Sequence, residues 1–240
     1  MIVLLLLFFF FFFFKQKTAY EMLRSLVGSA LGQVYSRMQG TAPDLDSPSD
    51  LIGLFNFINN CRNEDLLLAY HDRSDGGLFT TLAEMAFAGH CGVDIQLQAL
   101  GAEDNVLAAI FNEELGAVVQ VREKQLASVM KYADKNGLSA CVHEIAKLND
   151  KGKISIELGE NVLFTQGRIE LQRQWAATSY HMQSMRDNSV CAHEEYDQLL
   201  DAADPGISIE LSFDLNEDIT APYINVDAKP RIAVLREQGV

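Results

Sequence analysis

Thirteen apolar residues in a row, Ile2 to Phe14, constrain this chain more than any other feature, because they decide between a membrane protein and a soluble one. As a helix the run would reach about 20 Å at ~1.5 Å per residue, against a hydrocarbon core of about 30 Å, so it is too short to span. A secretory signal carries basic residues before its apolar core and a small-residue cleavage site after it. Here Lys15 and Lys17 follow the run, nothing basic precedes it, and no such site appears. Half of the chain's 14 phenylalanines sit in this block, whereas evolved spans mix Leu, Val, Ile, Ala and Gly.

A phenylalanine homopolymer is what a run of T in DNA yields on translation, and "KQKTAYEMLRSLVGS" (15–29) resembles a translated sequencing adapter. Residues 1–29 therefore read as an artefact to be set aside from the fold. Taking Lys15, Lys17, Arg24 and Glu21 from the 19 basic and 33 acidic residues leaves 16 and 32, a net charge of −16. That balance argues against nucleic-acid binding, which needs a basic face. It suits a cytoplasmic enzyme. Cys61, Cys91, Cys141 and Cys191 lie far apart, and His90, His143, His181 and His193 are scattered, so neither a zinc site nor a disulfide framework is indicated.

The chain alternates helical and strand-like stretches. "TAPDLDSPSD" (41–50) reads as a loop with Ser47 or Ser49 capping a helix and Pro48 in its first turn. Leu51, Leu54, Phe55 and Ile58 fall at helical spacing after it. "LLLAYHD" (66–72) reads as a buried strand, 76–90 as a largely internal helix, and "VDIQL" as a strand. "VLAAIFNEELG" reads as helical, "AVVQV" (117–121) as a strand, and "KQLASVMKYADKNG" as a helix closed by Gly137. "CVHEIAKL" and "KISIEL" (153–158), joined by "NDKG" at 149–152, read as a hairpin. In the long helix that follows, Leu171, Trp175, Thr178, Met182 and Met185 form one stripe, expected to be core or packing surface. This is an α+β pattern.

Beyond residue 200 the chain is acidic, is punctuated by Pro and Gly, and has one strand-like run, Ile207 to Leu211. It reads as a linker over 201–229. "RIAVLREQGV" (231–240) reads as the first strand of a further α/β domain that opens at residue 230.

Chemistry concentrates in "HDRSDGGL" (71–78), at the end of an expected strand and the start of an expected helix. Asp72, with Asp75, can hold Mg²⁺ through oxygen, and Ser74 can donate to a phosphate. Gly76 and Gly77 permit close backbone approach, and the helix they open offers N–H groups to an anion, worth roughly 0.3–1 kcal/mol. A tight turn with Ser74 or Asp75 as N-cap is the alternative. His71 could bond a substrate or simply sit satisfied at the strand end. Glu113 and Glu114 form a carboxylate pair, but adjacent residues do not share a helix face.

"LLLAYHDRSDGGLFTTLAEMAFAGHCGVDI", "FNEELGAVVQV", "MQSMRDN" and "LSFDLNEDITAPYI…KPRIAVLREQGV" together resemble the large, single-chain form of phosphoribosylformylglycinamidine synthase, continuously from about Ala30 to Val240. The resemblance implies a purine-biosynthesis ligase that uses ATP, Mg²⁺ and ammonia from glutamine to turn formylglycinamide ribonucleotide into its amidine. It implies that 30–200 is an aminoimidazole-ribonucleotide-synthetase-like (PurM-like) C-terminal domain, with 230–240 opening a truncated glutaminase domain. It assigns Asp72 to the metal and Ser74, with Gly76 and Gly77, to the nucleotide (ATP or ADP), and no catalytic residue. The other metal carboxylates would lie in upstream domains and the glutaminase nucleophile downstream, so the piece is expected to be inactive by itself. Two further readings remain open at this point. One is a free-standing nucleotide-binding module of the aminoimidazole-ribonucleotide or selenophosphate synthetase type. The other is a small membrane-anchored binding protein, which depends on residues 2–14 being genuine.

Overall fold

Val118 of the strand Gly116–Arg122 packs into one core while Ala117, Val119 and Val121 pack into another, so this strand is covered on both faces. That follows from its run of β-branched residues, which suit a strand buried on both sides. The computed structural model describes residues 2–8, 45, 47–73, 75–101, 106–207, 209–224 and 233. In chain order its elements are β1 (Ile2–Phe8), α1 (Pro48–Asn63), β2 (Leu67–Asp72), α2 (Gly77–Gly89), β3 (Gly92–Gln96), α3 (Val106–Phe111), β4 (Gly116–Arg122), α4 (Leu126–Lys135), β5 (Val142–Asn149), β6 (Lys153–Leu158), β7 (Asn161–Gly167), α5 (Arg168–Arg186) and α6 (Ser189–Gln198). The strands form one mixed sheet in the order β2-β4-β1-β5-β3-β6-β7. On one face α2 and α3 supply Leu78, Leu82, Ala86, Phe87 and Ile110 to a core with Val93, Ile95, Ile145, Ile154 and Ile156. On the other, Leu54, Phe57 and Cys61 of α1 meet Val129 and Ala133 of α4.

Excluding residues 1–29 from the fold leaves out a strand that the sheet contains. β1 lies between β4 and β5 and pairs antiparallel with both, Leu6 standing opposite Val118 on one side and His143 on the other. A strand in that place closes two ladders at once, and without it β4 and β5 would each present unpaired backbone groups. Residues 9–29 lie outside the described residues.

Other expectations shift in instructive ways. α1 is capped at Ser47, with Pro48 at its start, but the Ser47 hydroxyl meets that of Ser49 (2.8 Å) instead of a backbone N–H. Its buried face is Gly53, Leu54, Phe57 and Cys61, leaving Ile52 and Phe55 62% and 68% exposed. Gly53 sets this rotation: a Cβ there would lie 2.7 Å from the Asn136 carbonyl oxygen, so the glycine side is the one that can approach α4. Burial pushes the Cys61 thiol up to about 11. β2 is an edge strand, alternating half-buried and exposed along its length, and not the fully buried strand its apolar run suggested. α3 stops at Phe111, short of "NEELG".

β5 and β6 are not a hairpin, because β3 lies between them, antiparallel to β5 and parallel to β6. Asp150 to Gly152 must cross two strand spacings, about 10 Å, which four Cα steps of ~3.8 Å reach easily. Gly92 makes room for the crossing: a Cβ on it would meet the Asn149 side chain and lie 2.6 Å from the Lys153 carbonyl oxygen. Asn149 fastens the junction by donating to Asp94 Oδ1 (2.9 Å) and to the Lys153 carbonyl (3.1 Å). The hairpin partner of β6 is β7, with Gly159 at positive φ in the turn.

The stripe along α5 is largely exposed: Trp175, Met182 and Met185 are 58%, 63% and 81% accessible, while Leu171 packs on the first core. α5 is instead held by α6. The Asn188 side chain caps α6 by accepting from the N–H groups of Val190 and Cys191. Arg173 bonds Asp197 (3.0 Å) and lies over the Tyr196 ring, which stacks on Tyr180 at 4.3 Å.

The chain divides after Ala202 into two units. In the second, the run expected as a strand carries Ile207 and Ile209 at 95% and 77% exposure, and no strand occurs among its described residues. Local turns dominate there, with Asp214 and Asp218 accepting from the N–H groups two residues on. The expected strand over 230–240 lies, Ala233 apart, outside the described residues.

His143 of β5 sits in the sheet, and burial holds its imidazole below the usual histidine range. The unfolded chain then binds the extra proton first, so stability is complete above the ordinary value near 6.5 and falls as pH drops from there towards the lowered one. We expect His143→Gln to flatten the decline of the denaturation midpoint between pH 7 and pH 5; an unchanged slope would show that His143 does not carry it.

Candidate active site

β2 ends at Asp72, and the chain turns through residues 73–76 into α2, so His71 to Gly77 sit where a strand delivers into a helix N-terminus. Gly76 (φ +83°) is the N-cap and Gly77 (φ +66°) the first helical residue, both in the left-handed region that favours glycine. Gly77 has a second requirement. A Cβ on it would lie 2.6 Å from the Phe111 carbonyl carbon and 2.7 Å from the Asn112 oxygen, so its bareness serves the packing of α2 on the α3–β4 turn. Gly76 is crowded as well, since a Cβ on it would strike the Thr80 side chain. Its N–H donates to Glu113 Oε1 (2.9 Å), while its cap position carries no side-chain hydrogen bond to the helix. Thr81 Oγ1 donates to the Gly77 carbonyl (3.0 Å), tying the first turn.

Arg73, which the sequence reading passed over, anchors the loop. Its guanidinium is buried, donating from Nε to the Glu114 carbonyl (2.5 Å) and from Nη2 to the Leu115 carbonyl (3.1 Å), while its own N–H bonds the Gly116 carbonyl (2.8 Å). Burial pulls it down to about 9, against the opposing pull of Glu114 and Glu113, so it stays charged at neutral pH. Asn112, fully buried, turns the chain by accepting from the Glu114 N–H (2.6 Å). Glu113 and Glu114 therefore belong to a turn and not to a helix, and both are tied to the 73–76 loop.

Asp72 and Asp75 are exposed beside this anchored loop. The Asp72 charge is close enough to help raise the Tyr70 phenol, after the larger effect of burial. Ser74 lies outside the described residues. His71 turns away from the loop: Nε2 meets Glu84 Oε2 (2.9 Å) and Nδ1 the Asp72 carbonyl (2.7 Å). Among the described residues no cluster of three or more His, Cys, Asp or Glu could by itself hold a metal ion. None of the helices among them is long and apolar enough to cross a membrane.

The loop is thus two exposed carboxylates and an open helix start held by a buried arginine. Comparison with known proteins places the chain in a family. Residues 31–159, just over half of the chain, match the family described as AIR synthase related protein, C-terminal domain. Among solved structures, PurL of Thermotoga maritima complexed with FGAR aligns with a TM-score of 0.56 at 13% identity, over 71% of this chain and 27% of that one. Phosphoribosylformylglycinamidine synthase II of the same organism gives 0.52 at 12% identity, over 70% and 25%. The hydrogenase maturation protein HypE of E. coli gives 0.44 at 17%, over 65% and 45%. The chain spans about a quarter of the length of the Thermotoga proteins. At these identities the structural likenesses describe the fold, and the family rests on the sequence match: this chain belongs to the AIR synthase related proteins through their C-terminal domain.

Proposed function

We propose that this chain supplies one wall of a Mg²⁺–nucleotide site in a purine-biosynthesis carbon–nitrogen ligase, the enzyme that converts formylglycinamide ribonucleotide to its amidine with ATP and glutamine. The carrying observation is the loop from Asp72 to Gly77, where exposed carboxylates flank an α2 N-terminus capped only by glycine. The FGAR complex of a fold neighbour supports the substrate, and the sequence resemblance supports the ligase chemistry.

The donor set fits magnesium. Mg²⁺ is usually held by one or two carboxylates, with water and phosphate oxygens completing the shell, and Asp72 and Asp75 offer that number. In the reading, Asp72 is the metal ligand, Ser74 donates to the nucleotide, and the first-turn N–H groups of α2 face the phosphates. A cation held there by Asp72 would supply positive charge beside the phosphate oxygens. Arg73 touches none of these groups; it holds the loop to the α3–β4 turn so that the N–H groups are already aimed. The remaining walls and the glutaminase belong, in this reading, to further domains of the ligase, and the piece is inactive alone.

Asp72→Asn keeps the shape of the side chain and removes its charge. Calorimetric titration with ADP should show affinity in the presence of Mg²⁺ falling at least ten-fold, with metal-free ADP binding unchanged. Equal Mg·ADP affinity in the variant would remove Asp72 from the site.

A further inference from the structure

Away from that loop, an open groove of about 740 Å³ lies between the outer edge of the sheet at β2, the second half of α2 and the start of α5. Its size is in the range of small-molecule sites. Glu84 lines it, one carboxylate oxygen bonded to His71 Nε2 (2.9 Å) and the other accepting from Trp175 Nε1 (2.8 Å). These two bonds and the Phe87 ring, 6.0 Å away at 57°, hold the indole in place although it is 58% exposed. An aromatic plane fixed by hydrogen bonding yet left open to solvent is a stacking wall that needs little ordering on binding.

The polar groups are also polarised. Glu84 can only accept while ionised. Gln172 is oriented by Arg168, whose Nη1 donates to Gln172 Oε1 (2.7 Å), so the Gln172 amide N–H₂ is the end left to donate. An acceptor and a donor beside one aromatic wall match a ring that presents an amine next to a ring nitrogen.

We propose that this groove is a second ligand site, for a planar nitrogen heteroaromatic carrying an exocyclic amine. The ring stacks on Trp175, its amine donates to Glu84, and its adjacent ring nitrogen accepts from Gln172. The site needs no phosphate and does not rest on the metal–nucleotide reading of the Asp72 loop.

Trp175 is the chain's only tryptophan, so its fluorescence reports this groove directly. The probes are phosphate-free: adenosine, which has the amine, and purine riboside, which lacks it. We expect adenosine to quench Trp175 emission saturably and to bind at least ten-fold more tightly than purine riboside. Glu84→Ala should erase that preference. Gln172→Glu, which keeps a partner for Arg168 but removes the donor, should weaken adenosine at least five-fold. The proposal is overturned if adenosine gives no saturable quench up to millimolar concentration, or if purine riboside binds as well.

Discussion

Leu6→Pro should lower the unfolding free energy of the whole chain by about 3 kcal/mol or more, a large share of the roughly 5–15 kcal/mol that holds a domain together. The argument is one of backbone alone. β1 is flanked on both sides, so every N–H along it faces either β4 or β5, and Leu6 stands opposite Val118 and His143. Proline removes that donor, strands its carbonyl partner inside the sheet, and places a ring where the neighbouring strand must approach at about 4.8 Å. Urea denaturation followed by circular dichroism measures the effect. A change under about 0.5 kcal/mol, the size typical of uninvolved surface positions, would mean that the opening residues lie outside the fold, as their composition first suggests.

The second large effect is expected at Arg73. Arg73→Met fills a similar volume but leaves the carbonyls of Glu114 and Leu115 without their donors and removes the charge that faces the carboxylates of Glu113 and Glu114. Breaking a buried charged arrangement by deleting one partner costs about 3–5 kcal/mol. Arg73→Lys keeps the charge but cannot present the fork that reaches two successive carbonyls, so its loss should be roughly half as large. The same denaturation series reads both. If Met and Lys prove equally mild, the guanidinium is not what holds the 73–76 loop to the α3–β4 turn.

Local pattern and long-range placement separate clearly in this chain. The helix expected over 76–90 and the strand expected over 117–121, found at Gly77–Gly89 and Gly116–Arg122, were legible from periodicity and from the residues that start and stop them. The turn from β2 into α2 was legible as a motif, since Asp72, Gly76 and Gly77 announce a strand-to-helix turn. Arg73 was not, because nothing in an isolated "DRS" tells a solvent-facing arginine from one that crosses to a turn forty residues on. Glu113 and Glu114 misread as helix because Asn112, which ends the helix through its own side chain, looks the same in a sequence whether it caps or continues. The β5–β6 pair misled for a deeper reason: alternation shows that two runs are strands but not whether a third enters between them. Only Gly92, bare where Asn149 and Lys153 close in, hints at β3 there. The α5 stripe shows the opposite limit, since helical spacing of Trp175, Met182 and Met185 says that they share a face and not that anything covers it.

The place of β1 has a consequence for how the molecule is made. It is made well before its two neighbours, β4 and β5, the latter beginning only at Val142. At 5–20 residues per second its second partner arrives on the order of ten seconds later. Through that interval the most apolar segment of the chain waits without its ladder, and β2 with β4 cannot join β5, β3, β6 and β7 into one sheet until it docks between them. Such pairing between distant parts of a chain slows folding and lengthens exposure to other chains. The strand that joins the two halves of the sheet is thus also the segment from which misassembly between nascent copies would start.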